Sequence, residues 1–278
     1  MPYQLRVRRP SSEFVPPEGG SHTPLSDAID RLVGLGALDI EPTPDGGLAA
    51  LMPDSATPER VACALGVDDL AVSPAIGRDA DSVWVLRPRP VRAGRVRLIP
   101  ATSDAEPGAV RLIDSPAFGT GLHPTTALCL EALDEIVAAD PPDRLLDVGT
   151  GSGVLALAAL QLGVSRVTAI DVDADALRVA SENARLNAMS GRLELVLGGA
   201  GAVTGTWPLV LANVLAAPLI DMAPTLVRRV GHHGRVILSG IPASVEADVA
   251  REYRRLGMRH VQTRTRGGWI AMRLQASW

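Results

Sequence analysis

One aspartate and three alternate glycines stand close together in Asp147-Val148-Gly149-Thr150-Gly151-Ser152-Gly153, and a second acid, Asp171, follows downstream. Val148 ends a short apolar strand and Val154 to Leu162 is a helix-forming run, so the glycines fall where the chain turns from sheet to helix. Glycine tolerates positive φ and lets the backbone approach a bound molecule, and the free N–H groups of the following helix N-terminus favour a negatively charged group. Ser165 to Asp171 reads as a second apolar strand ending in an acid. A carboxylate there can accept hydrogen bonds from both hydroxyls of a ribose. The chemistry is therefore the holding of a nucleoside-bearing ligand across the tips of neighbouring strands.

The glycine spacing selects among such ligands. A dinucleotide fingerprint requires G-x-G-x-x-G, and Val154 stands where its third glycine belongs. The pattern present, D-x-G-x-G-x-G, resembles motif one of the class I methyltransferases that use S-adenosylmethionine. The resemblance implies that Asp147, Gly149, Gly151, Gly153 and Asp171 bind this cofactor, the carboxylate of its methionine end replacing a pyrophosphate. A glycine-rich turn alone can also be a plain tight connection, and the acid at position 171 argues for a ligand.

Two more segments belong to the same cleft. In Ala117-Phe118-Gly119-Thr120-Gly121-Leu122-His123-Pro124-Thr125-Thr126 the glycines allow a loop to fold over a ligand. The two threonines can cap the next helix or offer hydroxyls to the cofactor. In Leu209-Val210-Leu211-Ala212-Asn213-Val214-Leu215, Asn213 closes the expected fourth strand. Ligands of open α/β sheets lie at the carboxyl ends of the strands, which brings Asn213 and Gly149 to one crevice.

The elements that must position these residues follow from Pro124 onward as alternating helices and strands, the pattern of a parallel sheet covered on both faces. Helices are expected at Thr125–Val137, Ala174–Asn187 and Ala243–Leu256, and strands at Leu193–Leu197, Leu209–Ala212 and Arg235–Leu238. His260–Thr265 and Trp269–Leu274 flank Arg266-Gly267-Gly268 and read as an antiparallel hairpin. The fold class is α/β, a Rossmann-like, mostly parallel seven-stranded sheet closed by that C-terminal hairpin, which suits a class I methyltransferase.

Fifteen of the 22 prolines precede Ala117, which marks off a separate front part. Strand Tyr3–Val7, helix Leu25–Leu35, strands Ala37–Ile40 and Gly47–Leu51, helix Thr57–Leu65 and strand Leu70–Val72 run in the order of a ferredoxin-like split unit. The expected organisation is a small α+β substrate-recognition domain at 1–75, a linker at 76–116 and the S-adenosylmethionine-binding catalytic domain at 117–278.

Composition narrows the function classes. No apolar run approaches the roughly 20 residues of a membrane span, and the N-terminus lacks the apolar stretch of a signal peptide. A cytoplasmic location is expected. Cys63 and Cys129 fall in separate expected helices without metal-type spacing, so both read as buried apolar fillers and no metal site is expected. All 27 basic residues are arginine, and the net charge of −4 argues against broad nucleic-acid binding, DNA included. Arg87, Arg89, Arg92, Arg95 and Arg97 form one local cluster, read as a solvated edge strand or linker, with ribosomal RNA or an acidic substrate surface as the alternative.

Taken together, A-F-G-T-G-x-H-P-T-T, the glycine turn, I-D-x-D and A-N-V-L resemble the ribosomal protein L-eleven methyltransferase family, known as PrmA. The resemblance runs from about Asp114 to Leu274, includes Leu238-Ser239-Gly240-Ile241 and Gly268-Trp269, and agrees in outline with the front domain. It implies that Thr126, Gly149, Asp171 and Asn213 contact S-adenosylmethionine. It also implies trimethylation of amino groups, lysine side chains and the α-amine, of a ribosomal stalk-base protein bound by the front domain. The chain departs from the family pattern in its front half, with Asp114-Ser115-Pro116, a single linker Trp84, and Ala101 after Pro100. A monomer is expected.

Methyl transfer from a sulfonium needs a neutral amine held in line at about 3–3.5 Å, not a strong acid or base. A lysine amine has a reference pKa of about 10.4, so a water-poor site must favour its neutral form. Asn213 is expected to steer the nucleophile through its side-chain or backbone carbonyl, with Phe118 and Trp269 as walls and His123 as a structural imidazole. Asp173, Asn183 and Asn187 read as helix-start or surface polar groups. Three alternatives stay open: a class I methyltransferase of a small molecule or another protein, a non-catalytic S-adenosylmethionine-binding scaffold, and a nicotinamide dehydrogenase.

Overall fold

The computed structural model describes residues 3–7, 28, 31–32, 34–37, 39–42, 47–53, 56–67, 70–74, 90–115, 123–266 and 268–278. The chain divides into two units, Met1–Leu86 and Arg87–Trp278. The first holds strands β1 (Tyr3–Val7), β2 (Asp39–Pro42) and β3 (Leu48–Met52), helix α1 (Pro58–Leu65) and strand β4 (Ala71–Pro74). They pair antiparallel in the order β2-β3-β1-β4. Leu5, Leu32, Leu48, Met52 and Val61 form the core of this unit. Helix α1 starts at Thr57, whose hydroxyl accepts the Arg60 N–H, and stops at the left-handed Gly66. Cys63 on this helix is exposed, so burial as an apolar filler holds for Cys129 and not for Cys63. The expected helix Leu25–Leu35 falls largely outside the described residues.

The second unit begins with β5 (Val91–Ala93), β6 (Val96–Pro100) and β7 (Ala109–Leu112) and continues with α2 (Pro124–Ala139), β8 (Arg144–Val148), α3 (Val154–Leu162), β9 (Arg166–Asp171) and α4 (Ala174–Leu186). Then follow β10 (Leu193–Leu197), β11 (Trp207–Asn213), α5 (Ala216–Val227), β12 (Val230–Pro242), α6 (Glu246–Arg255), β13 (Met258–Arg266) and β14 (Trp269–Ala276). Seven strands form one sheet in the order β10-β9-β8-β11-β12-β14-β13. The first five are mutually parallel, and β14 runs antiparallel to both its neighbours.

Alternation along the central strands divides the core. Leu145, Leu209, Leu211 and Ile237 pack with residues of α2 and α3, while Leu146, Val148, Val210, Ala212 and Leu238 pack with those of α5 and α6. The near-continuous apolar composition of these strands follows from burial on both faces.

Three differences from the sequence reading have identifiable causes. Residues 91–112, inside the segment expected to be a linker, form a three-stranded sheet whose Ala93, Val96, Leu98, Val110 and Leu112 enter the core with α2 and α3. Its strands are short, and the arginines that alternate with their apolar residues give the segment the pattern of a solvated edge strand or linker. Arg95 and Arg97 are paired with Asp134 and Glu106, while Arg87 and Arg89 lie outside the described residues. Helix α5 escaped notice because Pro218 and Pro224 interrupt it, the latter in its interior. The expected helix Ala243–Leu256 opens instead with a short 3₁₀ turn, Ala243–Val245.

Candidate active site

Strands β9, β8 and β11 are adjacent and parallel, so their ends deliver Asp171, Gly149 and Asn213 to one edge of the sheet. Gly149, Gly151 and Gly153 have φ of 72°, 55° and 80°, all in the left-handed region that side chains rarely adopt. The alternate spacing thus has a backbone cause. A Cβ on Gly153 would lie 3.1 Å from the Ala180 Cβ, and one on Gly149 would collide with Val214 Cγ1.

The turn is braced from β9. The Gly149 and Thr150 N–H groups donate to the Ile170 carbonyl at 2.9 and 3.0 Å. Asp171 accepts the Gly151 N–H on Oδ2 at 2.9 Å and the Asp173 N–H on Oδ1 at 3.0 Å. Each carboxylate oxygen keeps further acceptor capacity for a hydroxyl. Asp173 caps α4 by accepting the Asp175 N–H, as its sequence position implies. Beside these groups Val172, Leu197 and Leu215 are exposed apolar side chains at or just past strand ends.

Asp147 and Asn213 face into the layer beneath α2 and α3. Asp147 is paired with Leu211, two residues before Asn213, so both side chains leave the same face of the sheet. Asp147 is 1% exposed; its Oδ2 accepts the Thr150 hydroxyl at 2.6 Å and its Oδ1 has no hydrogen-bond partner. Burial pushes its pKa from 3.8 up to about 6; the Thr150 hydroxyl and, less strongly, the Ala156 backbone N–H at the start of α3 oppose this, and the Asp171 charge adds to it. Asn213 is 9% exposed, donates from Nδ2 to Thr126 Oγ1 at 3.4 Å, and has an Oδ1 without a partner. A buried acceptor with no donor is costly, so two on one face mark a place that suits a donor or a cation.

Helix α2 begins at this place. His123 is its N-cap, with Nδ1 accepting the Thr125 N–H, and its ring meets Trp269 edge-on at 5.0 Å between centroids. Burial pulls its pKa down to about 4, so the imidazole is neutral at pH 7. The cap position and this packing agree with a structural imidazole. Thr126 is fully buried. Phe118 and the rest of 116–122 lie outside the described residues.

Four residues of the site region were given no role, or another one, in the sequence reading. Gly240 has φ of 82°, and a Cβ there would collide with the Val214 backbone, so Val214 is held between two left-handed glycines, 149 and 240. Ser239 is buried and donates to the Ile270 carbonyl at 2.7 Å. Asn183 and Asn187 are not surface groups: Asn183 is fully buried, and both side-chain amides bond the backbone near residue 112. Their spacing of four, on the face that carries Ala180, was the available signal. Cys129 is buried nearby, its thiol pushed up to about 12 by burial. Among the described residues no cluster of three or more metal-type ligands occurs, and no helix is long and apolar enough to cross a membrane.

Residues 70–277 match the family model described as Ribosomal protein L11 methyltransferase (PrmA). A ribosomal protein L11 methyltransferase from Pelobacter propionicus is 39% identical over 209 residues, 72% of this chain and 68% of that protein. One from Geobacter metallireducens is 37% identical over 259 residues, 91% of this chain and 80% of that protein. The crystal structure of ribosomal protein L11 methylase from Lactobacillus delbrueckii subsp. bulgaricus has a TM-score of 0.62 and 30% identity, covering 68% of this chain and 99% of that one.

Proposed function

The chain belongs to the ribosomal protein L11 methyltransferase (PrmA) family, and from that premise we propose that it moves methyl groups from S-adenosylmethionine to amino groups of a large-subunit ribosomal protein. The observation that carries the site assignment is the pair of orphaned, buried acceptors, Asp147 Oδ1 and Asn213 Oδ1, beside three left-handed glycines. The Asp147 side of this donor-poor place fits the ammonium of the cofactor's methionine end, with Asp147 supplying the countercharge, and leaves Asn213 Oδ1 for the substrate. Gly149, Gly151 and Gly153 leave the backbone bare for the rest of that end. Asp171 takes the ribose hydroxyls, while the exposed Val172 and Leu197 offer an apolar surface to the base.

When bound, the cofactor supplies an activated methyl group and its own leaving group. The chain's part is positional. Thr126 holds the Asn213 side chain by a hydrogen bond, and Val214, packed between Gly149 and Gly240, keeps the end of β11 in place. Asn213 Oδ1 can then accept an N–H of the incoming amine and turn its lone pair to the methyl group. Water-poor surroundings with a neutral His123 favour the uncharged amine, which is the reactive form.

Transfer of tritium from labelled cofactor into purified ribosomal protein L11 tests this reading. Label in that protein, lost with unlabelled S-adenosylmethionine in excess, is the expected result. Label only in small metabolites, or in nothing, overturns it.

A further inference from the structure

Helix α4 carries Asn183 in its last turn and Asn187 at its C-cap, and both side-chain amides bond backbone groups. Asn183 Nδ2 donates to the Ser152 carbonyl at 2.9 Å, and its Oδ1 accepts the Ile113 N–H at 2.8 Å. Asn187 Oδ1 accepts the Arg111 N–H at 2.8 Å, and its Nδ2 donates at 2.7 Å both to the Arg111 carbonyl and to the Asn183 carbonyl. Residues 111 and 113 are alternate positions in and just past the end of β7, so the two side chains meet that backbone as a neighbouring strand would. Only Asn183 also reaches the glycine turn.

We propose that Asn183 is a positioning residue for the cofactor turn, holding the Ser152–Gly153 peptide plane in one orientation. Gly153, with φ of 80°, leaves that plane unrestricted by a Cβ on its far side, so only the Ser152 side chain limits it from the other. With the Ser152 carbonyl held by Asn183, the Gly153 N–H points to the Thr150 carbonyl at 2.9 Å, which closes the turn. A plane turned over would break both bonds and change which backbone groups line the turn. Ala180, three residues earlier on α4, lies against Gly153 and fixes the distance between helix and turn. Contact with Ala180 sets the spacing, and the Asn183 amide sets the orientation. The inference rests on reading residues 149–153 as the cofactor's seat.

Asn183→Leu and Asn187→Leu separate positioning from simple support, since both remove buried amide bonds to residues 111–113 and only the first releases Ser152. Calorimetric titration with S-adenosylmethionine, thermal midpoints and steady-state kinetics on ribosomal protein L11 are the measurements. Asn183→Leu is expected to raise the cofactor Kd and KM at least tenfold, with the KM for the protein substrate within twofold. Asn187→Leu is expected to lower the thermal midpoint while leaving the cofactor Kd within twofold. If Asn183→Leu does not fold, Asn183→Asp replaces it, because the carboxylate still accepts the Ile113 N–H but cannot donate to Ser152; the same direction is expected. Cofactor affinity unchanged at position 183, or lost equally at both positions, overturns the inference while the functional reading stands. A wild-type chain that binds no cofactor overturns that reading and the inference with it.

Discussion

The two ends of the candidate pocket solve the same problem in opposite ways. At the end of β9 each oxygen of the Asp171 carboxylate accepts one backbone N–H, from the glycine turn and from Asp173, and keeps room for a hydroxyl. On the face beneath α2 and α3, Asp147 and Asn213 each bury an oxygen that meets no donor. The first end is preformed and electrostatically satisfied before anything binds. The second carries an unrelieved desolvation cost that a bound ammonium or N–H would relieve. A pocket built this way orders its backbone in advance and keeps its electrostatic gain for the ligand, in line with the placing of strained or unsatisfied groups at functional sites.

The comparison breaks most visibly at Asp171. Asp171→Ala removes the carboxylate from two proposed ribose hydroxyl bonds, each worth roughly 1.5–3 kcal/mol when one partner is charged. Cofactor Kd should rise by roughly a hundredfold or more in calorimetry. A change below about threefold would remove Asp171 from the site.

Asp147→Asn should act with opposite signs on stability and binding. Its pKa is raised from 3.8 to about 6, so between those values the folded state keeps a proton that the unfolded chain has released. Stability conferred by this group therefore falls as pH rises through that window, and the full cost, at most about 3 kcal/mol, persists above it. Urea unfolding should find the variant more stable than wild type at pH 8 and no more stable at pH 4. Cofactor affinity should meanwhile drop about tenfold, from loss of the countercharge. Wild-type affinity should also weaken as pH falls through about 6, where Asp147 takes up its proton, and level off at a loss of about tenfold, as in the variant. His123, pushed down to about 4, does not change charge between pH 5 and 8. A variant no more stable at pH 8 would mean the buried oxygen is satisfied after all.

What could be read from residue order was the local part. Helix Val154–Leu162 and strand Leu193–Leu197 occupy the residues that hydrophobic runs and glycine punctuation indicate. The three glycines were recognisable because a left-handed backbone leaves a mark in residue type. What depends on distant partners left none. Asn183 acts on Ile113, seventy positions away, and an asparagine on a helix reads as solvent-facing until that strand is packed against it. The same holds for β5 to β7, whose apolar residues become a core only once α2 and α3 cover them. Asp147 was picked out by its place in a motif, but its orphaned oxygen is a property of burial that spacing does not encode.

Asn213 gives the smallest and most selective test of the contrast between the two ends. Its Nδ2 is occupied by Thr126 and its Oδ1 is open, so on the proposed reading its main loss falls on the amine and not on the ribose or the ammonium. Asn213→Ala should lower kcat on ribosomal protein L11 by about tenfold, the equivalent of one hydrogen bond of roughly 1–1.5 kcal/mol, while cofactor Kd changes less than about fivefold. Asn213→Ala also leaves the Thr126 hydroxyl buried with one partner fewer, which lowers stability by about 1 kcal/mol and must be measured separately by urea unfolding. If Kd rises as steeply as in Asp171→Ala while kcat holds, Asn213 belongs with the cofactor's anchors. The unsatisfied face would then serve binding alone, and the amine would have to be steered from elsewhere.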